Sequence, residues 1–211
     1  MEIYSEQICS WLKELGYTHC FFVAGGNIMH FLNAARKYFT CVPVVHEVTA
    51  GIATEYFNEV INVNGNKAFA LVTAGPGLTN IITSMAGAHV ESREMLVIGG
   101  QVKSTDLSNG AIRQRGIQEI DGIKLVNSIC KLAKRIEKPI DKSLFKEYER
   151  QTWNGRKGVV FLEICLDAQA AKPIREIEIT EKNSNLKHAE NFESEELITL
   201  IQQSKRPILL I

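Results

Sequence analysis

The chain has 211 residues, 45% of them hydrophobic and 23% charged, enough to bury the core of one domain and part of another. Lys plus Arg and Asp plus Glu both total 24, so no net charge steers it towards nucleic acid or an anionic membrane, and small molecules and protein surfaces remain as partners. The amino terminus lacks the basic region and apolar core of a secretory signal, no apolar run approaches the ~20 residues of a membrane span, and the five cysteines (Cys9, Cys20, Cys41, Cys130, Cys165) form no C-x-x-C pair; together these predict reduced thiols in a cytoplasmic protein.

Ile8, Trp11, Leu12 and Leu15 recur at helical spacing, with Ser5 placed to cap the helix and Gly16 to end it. CFFVA at 20–24 reads as a short buried strand. Gly25, Gly26 and Asn27 then turn the chain into a second helix with Ile28, Phe31, Leu32 and Ala35 on one face. The apolar stretch 42–45 predicts the next strand, and 48–58 another helix. After the polar turn NVNGNK, AFALVT at 68–73 is apolar on both faces, as a strand covered on both sides must be. The breakers of AGPGLTN lead to a helix of small residues, IITSMAGAHV, and MLVIGG supplies another strand. The polar segment 103–122 predicts a long loop with a site-covering role. Residues 141–152 read as a helix, GVVFLEICL at 158–166 as a final strand and 167–190 as a charged linker. From Ser194 a helix leads through Pro207 into ILLI, where the chain stops inside a predicted strand; the expectation is that the polypeptide continues.

Alternating strands and helices, with strands apolar on both sides, predict an α/β fold with a parallel sheet flanked by helices on both faces. In such sheets ligands bind outside the carboxyl ends of the strands. That edge gathers Gly25-Gly26, His46-Glu47, Thr73 to Gly77 and Gly99 to Gln101.

Read alone, each piece has a plain structural explanation. Glu47 sits near a helix amino terminus, where its charge complements the helix dipole. The glycine pair lacks the G-x-G-x-x-G spacing of a dinucleotide fingerprint. In GPG at 75–77 one proline-fixed dihedral between two glycines suits either a tight strand-to-helix turn or close approach of backbone to a ligand. His46 and His89 have no acid or thiol partner at a diagnostic spacing, and Ser84 and Ser92 have no nucleophile-elbow context.

Their joint order says more. The series GG, HE, LVTAGPGLTN, GGQV and IQEIDG resembles the pyrimidine-binding domain of thiamine diphosphate-dependent enzymes, nearest the acetolactate synthase branch and its decarboxylase, oxidase and carboligase relatives. The resemblance implies a pyrimidine-binding domain at 1–170, a linker at 171–190 and a truncated start of the central domain at 191–211. It implies that Glu47 hydrogen-bonds ring nitrogen N1′ of the cofactor, promotes the 4′-imino tautomer and so helps remove the C2 proton. Val44, Val45, Val48 and Ala50 around it predict a desolvated carboxyl group that can share a proton with a weakly basic heterocycle. By the same matching Gly25, with Gly26, lies near the thiazolium, while Thr73, Gly75, Pro76, Gly77 and Asn80 line the pyrimidine pocket, and Gln118 reaches towards the cofactor.

The implied activity is decarboxylation or carboligation of a 2-oxo acid by a homodimer or homotetramer joined through this domain. The chain departs from the acetolactate synthase pattern at Val23-Ala24 and Val48-Thr49, which replace Tyr-Pro and Gln-Gly, and in a loop before Gln118 about five residues longer. No GDG motif occurs, so the ligands of Mg2+, and with them the diphosphate site, are expected in a missing domain, and the chain is expected to be inactive alone. FAD in the central domain is left open. Two other readings stand beside this one: a non-catalytic pyrimidine-domain binding subunit, and the alpha subunit of a two-chain 2-oxo acid decarboxylase.

Overall fold

The computed structural model describes residues 2–60, 65–175 and 194–206. The chain divides into a unit at Met1–Glu176 and a second at Ile177–Ile211. The first unit is built on six parallel strands: β1 (Tyr17–Phe22), β2 (Thr40–Pro43), β3 (Lys67–Val72), β4 (Met95–Gln101), β5 (Leu132–Ile136) and β6 (Val159–Cys165), in the order β2-β1-β3-β4-β6-β5. Around them run α1 (Tyr4–Glu14), α2 (Met29–Ala35), α3 (Glu47–Val60), α4 (Pro76–Val90), α5 (Gly122–Val126), α6 (Lys142–Arg150) and α7 (Leu166–Ala170).

The central strands divide their side chains by parity. Phe69 and Leu71 of β3, Leu96 and Ile98 of β4, and Val160 and Leu162 of β6 join Ile8, Trp11, Phe31 and Phe145 in one core. Ala70 and Val72, Met95 and Val97, and Val159 and Phe161 join Ala50, Leu78, Ile81 and Met85 in the other. A strand apolar at every position is stable only when both faces are covered, and that is why β3, β4 and β6 are legible in sequence. The chain runs outward from β1 to β2, then crosses to β3 on the opposite side of β1. This reversal leaves the carboxyl ends of β1 and β3 next to each other at the head of a crevice, the favoured ligand position in such sheets.

Several expectations are corrected. Ser5 lies inside α1, whose N-cap is Ile3; its hydroxyl instead donates to the Gln169 carbonyl at 2.9 Å. The first strand is Tyr17–Phe22 rather than 20–24, and β2 ends at Pro43, so Val45 is 97% exposed and does not wall in Glu47. Edge strand β5, LAKRI, is an addition to the predicted elements: Lys134 and Arg135 interrupt its apolar pattern, although Leu132 and Ile136 pack into one core and Ala133 against the other. Residues 166–170 form α7 instead of opening a linker, and residues just beyond are tied to α1 by Tyr4 N–H on Ala171 O and by paired bonds between Gln7 and the Ile174 backbone. The remaining linker, 176–190, and the ILLI strand lie outside the described residues. In the second unit Ser194–Gln203 forms α8, as its spacing predicts. Among the described residues no helix is long and apolar enough to cross a membrane.

Candidate functional site

Leaving β2, the chain passes through His46 into α3. The His46 carbonyl accepts the amides of Thr49 and Ala50, and its Nδ1 accepts the Val48 amide at 3.3 Å, so His46 acts as the helix cap and Glu47 becomes the first helical residue. Small residues let α3 and α4 approach closely: Ala50, Gly51 and Thr54 on one, Ile81, Ser84 and Ala88 on the other, all buried. That approach brings Asn80 Nδ2 within 2.8 Å of Glu47 Oε2.

Glu47 is 6% exposed, and its two oxygens have different surroundings. Oε2 is held by Asn80, whereas Oε1 takes no hydrogen bond from the described residues and is not among the fully buried unpaired atoms, so it stays open to solvent; the side chain makes no ion pair among the described residues. The amino-terminal end of α3 favours negative charge at this position. The neutral Asn80 orients the carboxyl group without neutralising it, so Oε1 is available to a proton-bearing partner.

Thr73, the residue after β3, links the two sides of the crevice. Its Oγ1 accepts the Asn27 amide at 3.2 Å, fastening the turn after β1 to the turn after β3. A Cβ on Gly25 would stand 2.3 Å from Thr73 Cβ, so no side chain fits there. One on Gly77 would meet Thr73 Cγ2 at 2.8 Å and Glu47 Oε1 at 3.4 Å, which shows how near this turn lies to the unpaired oxygen. Gly75 has φ +64 and ψ −119, a region reserved for glycine, and a Cβ there would meet the Gln118 carbonyl oxygen at 2.7 Å. Pro76 follows at the first helical position, where its missing N–H is harmless.

The structure thus brings Glu47, Thr73, Gly77 and Asn80 together, with Gly25 packed on Thr73 and Gly75 packed on Gln118. Gly26 is exposed with nothing near its Cα on the side where a Cβ would stand, and Pro76 is exposed at the rim. Gln118 is exposed with φ +62, so its position is imposed by the loop around it.

Two residues that sequence reasoning passed over impose it. Asn27 donates Nδ2 to the Ile117 carbonyl at 3.3 Å, tying the first turn to the loop. Glu119, 9% exposed, accepts the amides of Ser108 (2.6 Å), Arg115 (2.8 Å) and Gly116 (3.1 Å), closing the loop on itself. Burial opposes its ionisation, but these amides win and bring its pKa down to about 2. Farther along the same edge, the buried Glu163 receives Gln101 Nε2 and the Arg135 guanidinium; burial pushes its carboxyl up against the pull of Arg135. The GGN and QEID sequences held the signals for Asn27 and Glu119, since an amide or carboxylate beside glycines and polar turns is suited to gathering backbone groups.

The family model that matches residues 4–125 describes a thiamine pyrophosphate enzyme, N-terminal TPP binding domain. The chain is 34% identical over 164 residues to a 2-hydroxyacyl-CoA lyase 2 of Caenorhabditis elegans, covering 77% of this chain and 24% of that protein. It is 32% identical over 164 residues to the protein of the same name from Bos taurus, with 77% and 25% covered. It is 27% identical over 216 residues to the acetolactate synthase large subunit of Lactococcus lactis subsp. lactis (strain IL1403), with 98% and 36% covered. The chain therefore spans about a quarter to a third of the length of these curated relatives.

Proposed function

Because the chain belongs to the thiamine pyrophosphate enzymes through their N-terminal TPP-binding domain, we propose that the recess around Glu47 receives the aminopyrimidine end of that cofactor. The observation that carries this reading is the buried carboxyl group with one oxygen fixed by Asn80 and the other unpartnered. These residues fit a neutral heterocycle with a hydrogen-bonding ring nitrogen: Asn80 leaves Oε1 open to it, and Glu47 makes no ion pair among the described residues. When bound, the cofactor supplies an electron sink for breaking or making a carbon–carbon bond beside a carbonyl.

Glu47 shares a proton with the pyrimidine ring nitrogen through Oε1, while Asn80 keeps the carboxyl plane in place. Gly25, Thr73 and Gly77 give the ring a backbone-lined wall, with Gly26, Gly75 and Pro76 at its rim. Gln118, set against Gly75, faces the reacting end. We assign the diphosphate, with a divalent metal such as Mg2+, to a domain outside these residues, so the complete enzyme is needed for turnover. A homodimer follows if a second copy contributes that domain; Ile52, exposed on α3 little more than one turn after Glu47, supports an apolar contact near the site.

For the overall reaction we favour decarboxylation or carboligation of a 2-oxo acid, as in acetolactate synthase. The 2-hydroxyacyl-CoA lyases among the relatives, together with Val23-Ala24 and Val48-Thr49 flanking the site, favour a second reading, cleavage of a 2-hydroxyacyl thioester. Turnover by the complete protein across a panel of both substrate classes separates the two. Glu47→Gln in the complete protein should slow C2 proton exchange of bound thiamine diphosphate by about 100-fold or more. Undiminished exchange, with cofactor still bound, removes the proposed role of Glu47.

A further inference from the structure

A cluster of thiols lies beneath the strands that lead into the site. β1 and β2 are parallel and in register with Cys20 opposite Cys41. Directly opposed residues of neighbouring strands point to the same face with Cα atoms about 4.8 Å apart, inside the roughly 4.4–6.8 Å range that disulfides span. Both thiols belong to the core under α1 and α2, which Cys9 of α1 joins. Their accessibility differs. Cys20 and Cys9 are fully buried, whereas Cys41 lies on the edge strand of the sheet and is partly exposed.

We propose that Cys41 and Cys20 form a modification site, a thiol pair that a peroxide-class oxidant converts reversibly to a disulfide between β1 and β2. Cys41 meets the oxidant: its sulfur attacks one peroxide oxygen, the O–O bond breaks, and the second oxygen leaves as water with the thiol proton. The resulting sulfenic acid is attacked by the Cys20 sulfur, the S–O bond breaks, and a second water leaves with the Cys20 proton. Two thiols lose two electrons and two protons, and one peroxide becomes two waters.

The surroundings give each sulfur its part. Hydrogen bonding with Cys20, opposed by partial burial and aided by the Arg36 guanidinium, holds the Cys41 thiol below its ordinary pKa and so favours the reactive thiolate. Burial pushes the Cys20 and Cys9 thiols well up, which keeps them protonated until a neighbouring sulfur is oxidised. The pair also sits where a crosslink matters. β1 runs into the turn of Gly25 and β2 runs into Glu47, so the bond would fix the separation of the strands that present them.

The test uses the full chain, treated with equimolar hydrogen peroxide, then blocked with N-ethylmaleimide in denaturant so that the buried thiols react, weighed intact and digested without reduction. The expected result is three alkylated cysteines instead of five, a linked pair of tryptic peptides carrying Cys20 and Cys41, and recovery of five after dithiothreitol. Cys9→Ser should leave the link intact, and Cys20→Ser should leave Cys41 as a dimedone-reactive sulfenic acid. Five alkylated cysteines after treatment, a Cys9–Cys41 link, or Cys41 carried to sulfinic acid with Cys20 still free would each overturn the pairing.

Discussion

Glu47 and Glu119 are both acidic side chains withdrawn from water along one edge of the same sheet, and they are treated in opposite ways. Glu119 is surrounded by backbone amides that satisfy both its oxygens, and its negative charge is fixed down to strongly acidic conditions. Glu47 has a single amide partner and one unclaimed oxygen. A carboxylate whose hydrogen bonds are completed by its own backbone is architecture; one that keeps an oxygen free of protein partners can offer it to a ligand. Glu47 thus carries the resemblance, while Glu119, in the loop between β4 and α5, holds the backbone beside Gln118 in place.

The comparison can be broken most severely at Glu47. Glu47→Ala in the complete enzyme should abolish turnover by about 100-fold or more, while thermal stability of the chain changes by less than about 1 kcal/mol, because only one hydrogen bond is lost. A large drop in melting temperature would show that Glu47 is structural after all. Next comes Glu119→Gln. A carboxamide cannot accept three amides, so the loop should open, with trypsin cleavage at Arg113 and Arg115 rising about tenfold or more.

The same residue gives a pH prediction. Its folded pKa lies below the unfolded value of about 4.3, so its contribution is fully present above that value and is lost as pH falls towards about 2. A carboxyl-carbon NMR titration of Glu119 with a midpoint near 4 would contradict it.

Gly75→Ala tests whether the two carboxylate neighbourhoods are mechanically joined. A methyl at φ +64 strains the turn by about 1–3 kcal/mol and pushes directly on the Gln118 carbonyl, so both stability and the protection of the 108–119 amides should fall together. The smallest effect belongs to a third carboxylate, the exposed Asp141, which accepts the Leu144 amide at 2.8 Å and caps α6. Asp141→Ala should cost roughly 0.5–2 kcal/mol by denaturant titration and leave turnover untouched.

How much of this was readable in the chain depends on what each stretch had to satisfy. β3, β4 and β6 declare themselves because burial on both faces demands an unbroken apolar run, and the breakers after them mark the edge where the site assembles. β5 was silent since an edge strand tolerates Lys134 and Arg135, and the reason Arg135 is there, Glu163 on the neighbouring strand, is visible only in three dimensions. Ser5 misled because a hydroxyl near a helix start reads as a cap, whereas its partner, Gln169, is 164 residues away. At the site, Glu47 and Asn80 are 33 positions apart, and nothing local couples them; the close approach of α3 and α4 does. The amide gathering by Glu119 was hidden for the same reason, since a long polar loop looks unstructured until its own carboxylate is seen at its centre.

That ring has a consequence for how such a protein can change. With the Ser108 and Gly116 amides fastened to one side chain, and Ile117 fastened to Asn27, residues 109–114 form a closed bight whose neck is fixed. Lengthening or recolouring the bight alters what an incoming molecule meets at the entrance, yet leaves the neck, and the turn leaning on it, where they were. Diversification at the doorway is thereby uncoupled from the machinery behind it.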